Sequence, residues 1–129
     1  MRANLLDTNC AIFALHFPER LSATASRAIL RGPNVLSVIT YWEVLLKSMK
    51  GGLDVGDPRD WWTDALEELG ATSLALRPEH VSGVYDLPAH HKDPFDRILI
   101  AQATVEELAL VTSDAGMTKY ASVALKIIR

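Results

Sequence analysis

His91-Lys92-Asp93-Pro94-Phe95-Asp96-Arg97-Ile98-Leu99-Ile100-Ala101-Gln102-Ala103 reads as a loop running into a helix. Asp93 is a suitable N-cap, because its side-chain oxygen can accept from the free N–H groups of the first turn. Pro94 follows at the first helical position, where its missing N–H costs nothing. Asp96 stands three residues after the cap, in the acid position of a capping box. Behind it Ile98, Leu99, Ala101, Val105 and Leu108 supply a mostly apolar helical face. Taken alone, Asp93 and Asp96 are explained by the helix, since acids in a first turn complement its dipole. The positions of the other acids give Asp96 a second meaning.

Outward from this stretch, helices alternate with short apolar runs. Residues 3–6 form a buried first strand ending at Asp7, and Asp7-Thr8-Asn9 supplies caps for a short helix over 10–16. Residues 22–30 form a helix with Leu21, Ala25, Ala28 and Ile29 inward, closed by Gly32-Pro33. The β-branched run 35–39 is a second strand. Thr40 and Glu43 then make a capping box that puts Glu43 in the first turn of a helix running to about Lys50. Further helices are expected over 58–69, over 78–85 and from Pro94 to about Glu107. A helical turn is expected over 116–120, and strands over 72–76, 109–112 and 123–128. Strands separated by helices imply an α/β fold: a short parallel sheet of four to five strands covered on both faces, with right-handed crossovers. Ligands of such sheets bind beyond the carboxyl ends of the strands.

With 129 residues and 49% apolar content, the chain suits one compact domain over residues 1–129. Asp7 interrupts the N-terminus before a signal-peptide core can form, and no apolar run is long enough to span a bilayer. The single cysteine, Cys10, excludes an intramolecular disulfide and a cysteine-built zinc site, and near a helix start it reads as a small buried apolar residue. A cytoplasmic protein is expected. The net charge of −3 argues against a large basic surface. If four of the acids surround a cation, however, setting their charge aside leaves +1 for the remainder, which is compatible with a phosphate-bearing substrate.

Asp7, Glu43 and Asp114 each follow a strand, so all three fall on the carboxyl edge of the sheet, and Asp96 starts a helix. Carboxylates gathered in one crevice repel, and a proton or a cation must relieve them. An all-oxygen set suits Mg²⁺ or Mn²⁺, metals that serve phosphodiester hydrolysis.

The chain resembles the PIN-domain ribonucleases, in particular the VapC-type toxins of toxin–antitoxin pairs. The matching pieces are Leu5-Leu6-Asp7-Thr8-Asn9, residues 37–43 with Lys47, residues 91–103, and Leu110-Val111-Thr112-Ser113-Asp114; they occur in family order and span nearly the whole chain. The resemblance implies a PIN-like three-layer α/β/α sandwich and a metal-dependent endoribonuclease with Asp7, Glu43, Asp96 and Asp114 as the catalytic metal-binding acids. Asp93 is a secondary candidate whose capping duty already explains it. Cleavage of single-stranded or looped RNA to a 5′-phosphate and a 3′-hydroxyl is implied, as are Mg²⁺ or Mn²⁺ as cofactor, a cognate antitoxin and a homodimer. Thr8, Asn9, Thr112 and Ser113 could orient the carboxylates or serve only as caps and turns.

Lys47 stands four residues after Glu43, which suggests an ion pair of about 0.2–0.5 kcal/mol or a phosphate contact. Lys92 and Arg97 flank the site as RNA contacts or as solvated surface. His90 and His91 lack chelating helical spacing and read as loop residues without a ligand role. Of Tyr41-Trp42 and Trp61-Trp62, at least one of each pair should pack inward, and the others could line a groove for an antitoxin helix. A receiver-type phosphoacceptor is excluded, because Asp7 stands without an acidic neighbour and the third strand leads to Arg77-Pro78 instead of an acceptor acid. A catalytically inactive RNA- or protein-binding module and a DNA-directed nuclease remain as alternatives.

Overall fold

The computed structural model describes residues 2–129; Met1, included above in the single domain, lies outside them. Five parallel strands form one sheet in the order β3-β2-β1-β4-β5: β1 Asn4–Leu6, β2 Asn34–Ser37, β3 Ala71–Leu74, β4 Ala109–Val111 and β5 Ile127–Ile128. Six α-helices connect them: α1 Thr8–His16, α2 Ala23–Arg31, α3 Val38–Met49, α4 Pro58–Glu68, α5 Pro78–Tyr85 and α6 Pro94–Val105. Among the described residues, no helix is long and apolar enough to cross a membrane.

The two-residue period of the strands divides the core. Leu6, Leu36 and Val111 point to one face and pack with Cys10, Ala25, Ala28, Val44, Trp61 and Ala65 from α1 to α4. Leu5 and Leu110 point to the other face, against Leu99, Ile100 and Ala103 of α6. Each fully buried leucine contributes roughly 1.5–3 kcal/mol. The central strands are therefore apolar on both sides, as a doubly covered parallel sheet requires.

Polar side chains fasten the amino end of the sheet. Asn4 donates to the Ala28 carbonyl (2.8 Å) and to Asn34 Oδ1 (3.2 Å), while the Asn34 amide donates to Ile29 O (2.8 Å) and Leu69 O (3.0 Å). The last turns of α2 and α4 thus end on side chains of β1 and β2, which bond carbonyls at the helix ends. Gly32 terminates α2 at φ +58°, a backbone conformation that glycine adopts without a side-chain clash.

Several boundaries differ from expectation. The second strand stops at Ser37, two residues early, and Ser37 caps α3 by accepting from Ile39 N (3.0 Å). Thr40 lies inside the helix, so the expected Thr40–Glu43 capping box does not form and Glu43 belongs to the second turn. The physical reason is that α3 serves both layers: Ile39 packs in the α6-side core and Val44 in the other. The third strand runs over Ala71–Leu74, and the last shrinks to Ile127–Ile128 at the sheet edge. In α6 the inward residues are Leu99, Ile100, Ala101, Gln102 and Ala103, while Val105 is exposed, because α6 is covered on two sides. The sheet takes one side and α5 the other. A Cβ on Gly83 would stand 3.4 Å from Ala101 Cβ, so the two helices approach closely there.

A buried polar chain ties these layers together. Ser37 Oγ donates to Gln102 Oε1 (2.5 Å), the Gln102 amide reaches His80 Nδ1 (3.3 Å), and His80 Nε2 meets Glu106 Oε2 (2.7 Å). His80 Nδ1 also accepts from Arg77 N (3.0 Å), so Nε2 carries the proton donated to Glu106, and Arg77 closes the chain as the second partner of that carboxylate.

Candidate metal centre

The strand order changes direction between β1 and β4, and the crevice at their carboxyl ends holds the acids. Asp7 follows β1, with its N–H on Val111 O (2.9 Å), and is buried to 4% exposure. One carboxylate oxygen caps α1 by accepting from Cys10 N (2.8 Å); the other accepts from Thr112 Oγ1 (2.5 Å). Burial raises the Asp7 pKa, against the hydrogen bonds from Thr112 and Cys10 that lower it, and the charge of Glu43 raises it further. The same burial pushes the Cys10 thiol pKa upward, so Cys10 is an inert packing residue.

Glu43 enters from α3. Its Oε2 pairs with Lys47 Nζ at 3.2 Å, the ion pair suggested by the spacing. Its Oε1 is buried and has no hydrogen-bond partner among the described residues. Asp96 enters from the first turn of α6, and its pKa is raised to about 7. Burial is the largest cause and the Asp93 charge the next; the charges of Asp7 and Glu43 add to it, and His91 opposes it. Three carboxyl groups from three separate elements therefore act on one another across a single crevice.

Asp114 is more open, with 45% of its side chain exposed. It caps the 3-10 turn Ala115–Tyr120 through Gly116 N (2.8 Å), and that bond, then His91, holds its pKa below the usual range. Two residues connect it to the others. Thr112 Oγ1 accepts from Asp114 N (3.0 Å) while donating to Asp7. His91 Nε2 lies 3.1 Å from Asp96 Oδ2 and 3.2 Å from Asp114 Oδ2.

His91 was not expected here. The sequence carries no periodic signal for it, because the contact depends on how the preceding loop is folded. Its N–H donates to the Tyr120 hydroxyl (2.8 Å), and its carbonyl accepts from Arg97 Nη1 (3.2 Å). His90 packs edge-on to Tyr120 instead, with ring centroids 5.2 Å apart. Arg97, expected as an RNA contact, turns inward: its guanidinium also donates to the carbonyls of Val84, Leu87 and Pro88 and so closes the loop onto α6. Lys92 is exposed.

Asp93 accepts from Phe95 N (2.8 Å) and Asp96 N (3.3 Å), the capping role its position suggests. Of the four expected supporting residues, Thr112 alone has a side-chain bond to a site carboxylate. Thr8 Oγ1 pairs with Thr40 Oγ1 (3.2 Å), Asn9 is exposed, and Ser113 is half-buried. At least one residue of each aromatic pair packs inward, as expected. Trp61 is buried and donates to His16 Nε2 (2.9 Å), and Trp62 stacks on Tyr41 at 5.0 Å. Trp42 remains 54% exposed, edge-on to Phe95.

The donor set fits a hard divalent cation. It is rich in carboxylate oxygen, and the unpartnered Glu43 Oε1 is a buried lone-pair site on a group whose charge acts on Asp7 and Asp96, which a cation would satisfy. His91, Asp96 and Asp114 by themselves bring one ligand atom each to within 4.8 Å of one another.

The fold and crevice define a class: a doubly covered parallel α/β domain with carboxylates gathered at its topological switch. The PIN domain family profile matches residues 5–123, and the chain belongs to that family. Its fold is shared by chains of several toxin–antitoxin complexes. The DNA-bound VapBC structure from Salmonella typhimurium matches with a TM-score of 0.68 at 18% identity, covering 98% of this chain and 97% of that one. A toxin–antitoxin complex from Klebsiella pneumoniae gives 0.65 at 23% identity, covering 95% of each chain. FitAcB from Neisseria gonorrhoeae gives 0.62 at 25% identity, covering 95% of this chain and 96% of that one. A comparison with curated proteins found no match.

Proposed function

We propose that this chain is a metal-dependent endoribonuclease, using Mg²⁺ or Mn²⁺, and the cytoplasmic toxin of a toxin–antitoxin pair. The observation that carries the reading is the buried, unpartnered Glu43 Oε1 in a crevice where Asp7 and Asp96 already have raised pKa values. Membership of the PIN-domain family and a fold shared with chains of toxin–antitoxin complexes support it.

Asp7, Glu43 and Asp96 would hold the ion, with Asp114 completing the site from its open side. When bound, the ion would lower the pKa of water and offset charge on the phosphoryl group. The protein's own contribution is pre-organisation. Thr112 fixes Asp7 and the backbone of Asp114 together, and His91 holds Asp96 and Asp114 from the loop side. Lys47 engages Glu43 Oε2 at 3.2 Å, which leaves Oε1 as the oxygen without a partner. The partners that follow are an RNA strand, an antitoxin that covers the crevice, and a second copy of the chain.

The test is cleavage of mixed single-stranded RNA by the purified chain with Mg²⁺ or Mn²⁺, with excess chelator, and by Asp96→Asn. Cleavage that chelator and Asp96→Asn both abolish is expected, with DNA a poor competitor. Cleavage at the parental rate by Asp96→Asn would refute the assignment. RNA bound but never cut would make the chain a binding module.

A further inference from the structure

Beside the carboxylates lies a cavity of about 340 Å³ walled by Arg20, Ser22, Thr112, Ser113 and Arg129. Thr112 is also the residue that bonds Asp7 and Asp114, so the cavity and the acid cluster share one wall residue. Both guanidinium groups lack an acid partner. Among the described residues, Lys47, Arg59 and Arg77 are ion-paired and Arg97 is committed to loop carbonyls, whereas no ion pair engages Arg20 or Arg129. The Arg20 guanidinium carbon stands 4.5 Å from the Phe17 ring centroid and 5.5 Å from that of Phe13. Stacking fixes the guanidinium plane and leaves its N–H edge for a bidentate acceptor. The charge of Arg129 reaches Asp114, where it contributes to the lowered pKa. Arg20 also lines a second cavity of about 540 Å³ that continues past Asn9 to Lys47 on the other side of α1.

We propose that the Arg20–Arg129 cavity is a phosphate subsite, holding a backbone phosphate next to the scissile one on a single-stranded RNA. The inference rests on the nuclease reading above and adds where the strand runs. A chain with net charge −3 and a carboxylate-lined crevice repels a polyanion unless cations flank the cut site. Arg20 and Arg129 line a cavity that shares Thr112 with the acid cluster, and the charge of Arg129 acts on Asp114. Phosphate suits them better than the carboxylate of an acidic protein segment, because the cavity shares Thr112 with the acid cluster and an arginine fork takes two oxygens of one phosphate.

Binding is measured by fluorescence anisotropy of mixed-sequence single-stranded RNA over a range of salt, in full-length protein carrying Asp96→Asn so that the strand stays intact. Into it are placed Arg20→Gln, Arg20→Lys or Arg129→Gln. Both arginines are exposed, so melting temperatures should stay close to the parent. Each glutamine variant should weaken RNA binding about fivefold or more and reduce the slope of log K against log salt by about 0.7, the value for one lost phosphate contact on a single strand. Arg20→Lys should fall between, since it keeps the charge and loses the fork. Manganese affinity of the otherwise wild-type Arg20 variants should not move. Unchanged RNA affinity and slope would overturn the subsite, while metal-dependent cleavage by the wild-type chain would leave the nuclease reading standing. Unchanged RNA affinity with weakened antitoxin binding would overturn it in favour of an acidic protein segment. A parent that neither binds nor cuts RNA would remove both readings.

Discussion

Asp96 has a pKa of about 7, raised first by burial and then by Asp93. The unfolded chain releases this proton near pH 4 and the folded chain near pH 7, so the folded state loses stability as pH rises across that window. Metal-free protein should therefore melt lower at pH 7.5 than at pH 5. Asp96→Asn should raise the melting temperature at pH 7.5 but not at pH 5, which thermal denaturation in chelator would show; a lower melting temperature for the variant at pH 7.5 would contradict the electrostatic account. Thr112→Val removes the donor to Asp7 and the acceptor for Asp114 N, so calorimetry should find metal affinity about 10–100-fold weaker. Asp93→Ala should cost about 1 kcal/mol as a lost helix cap, with metal affinity largely kept. Asp93 and Asp96 were legible in the sequence because capping is local and Pro94 marks the helix start. His91 was not, because its place between two carboxylates depends on a loop held by Arg97 and Tyr120, residues whose contacts have no local signature.

Helices with strong punctuation were legible to within a residue or two: α5 runs over Pro78–Tyr85 as expected, and α4 opens at Pro58. The start of α3 was misplaced because Ser37 and Thr40 are both hydroxyl residues able to cap, and the β-branched Val38 and Ile39 suit a strand in isolation. Packing against two layers decides for the helix. The α6 end carries a testable strain: Glu107 follows it at φ +56°, with Leu108 N bonded to Ala103 O at 2.9 Å. Glycine suits that position, so Glu107→Gly should stabilise the protein by about 0.5–1 kcal/mol, read as a higher denaturant midpoint. In the loop before α6, Arg97→Ala should cost roughly 2–4 kcal/mol by leaving several carbonyls without a charged donor. A variant that folds with parental stability but binds RNA weakly would return Arg97 to the role of a surface contact.

Across the molecule, separate elements deliver Asp7, Glu43 and Asp96 to one crevice, and no local pattern reveals that convergence. The alternation of apolar runs and helices indicated a parallel sheet, but not the order β3-β2-β1-β4-β5 that sets the first and fourth strands side by side. The spacing of the acids alone allowed a set of unrelated caps; the resemblance to PIN-domain nucleases singled out those four. The amino end of the sheet is fastened by Asn4 and Asn34, and the acids stand at the opposite, carboxyl end. The most direct test is anomalous diffraction from crystals soaked in Mn²⁺. The account predicts one strong peak between the carboxylates of Asp7, Glu43 and Asp96, within coordinating distance of Glu43 Oε1, and its loss in Asp96→Asn. An empty crevice at saturating Mn²⁺, with Glu43 Oε1 still unpartnered, would contradict it.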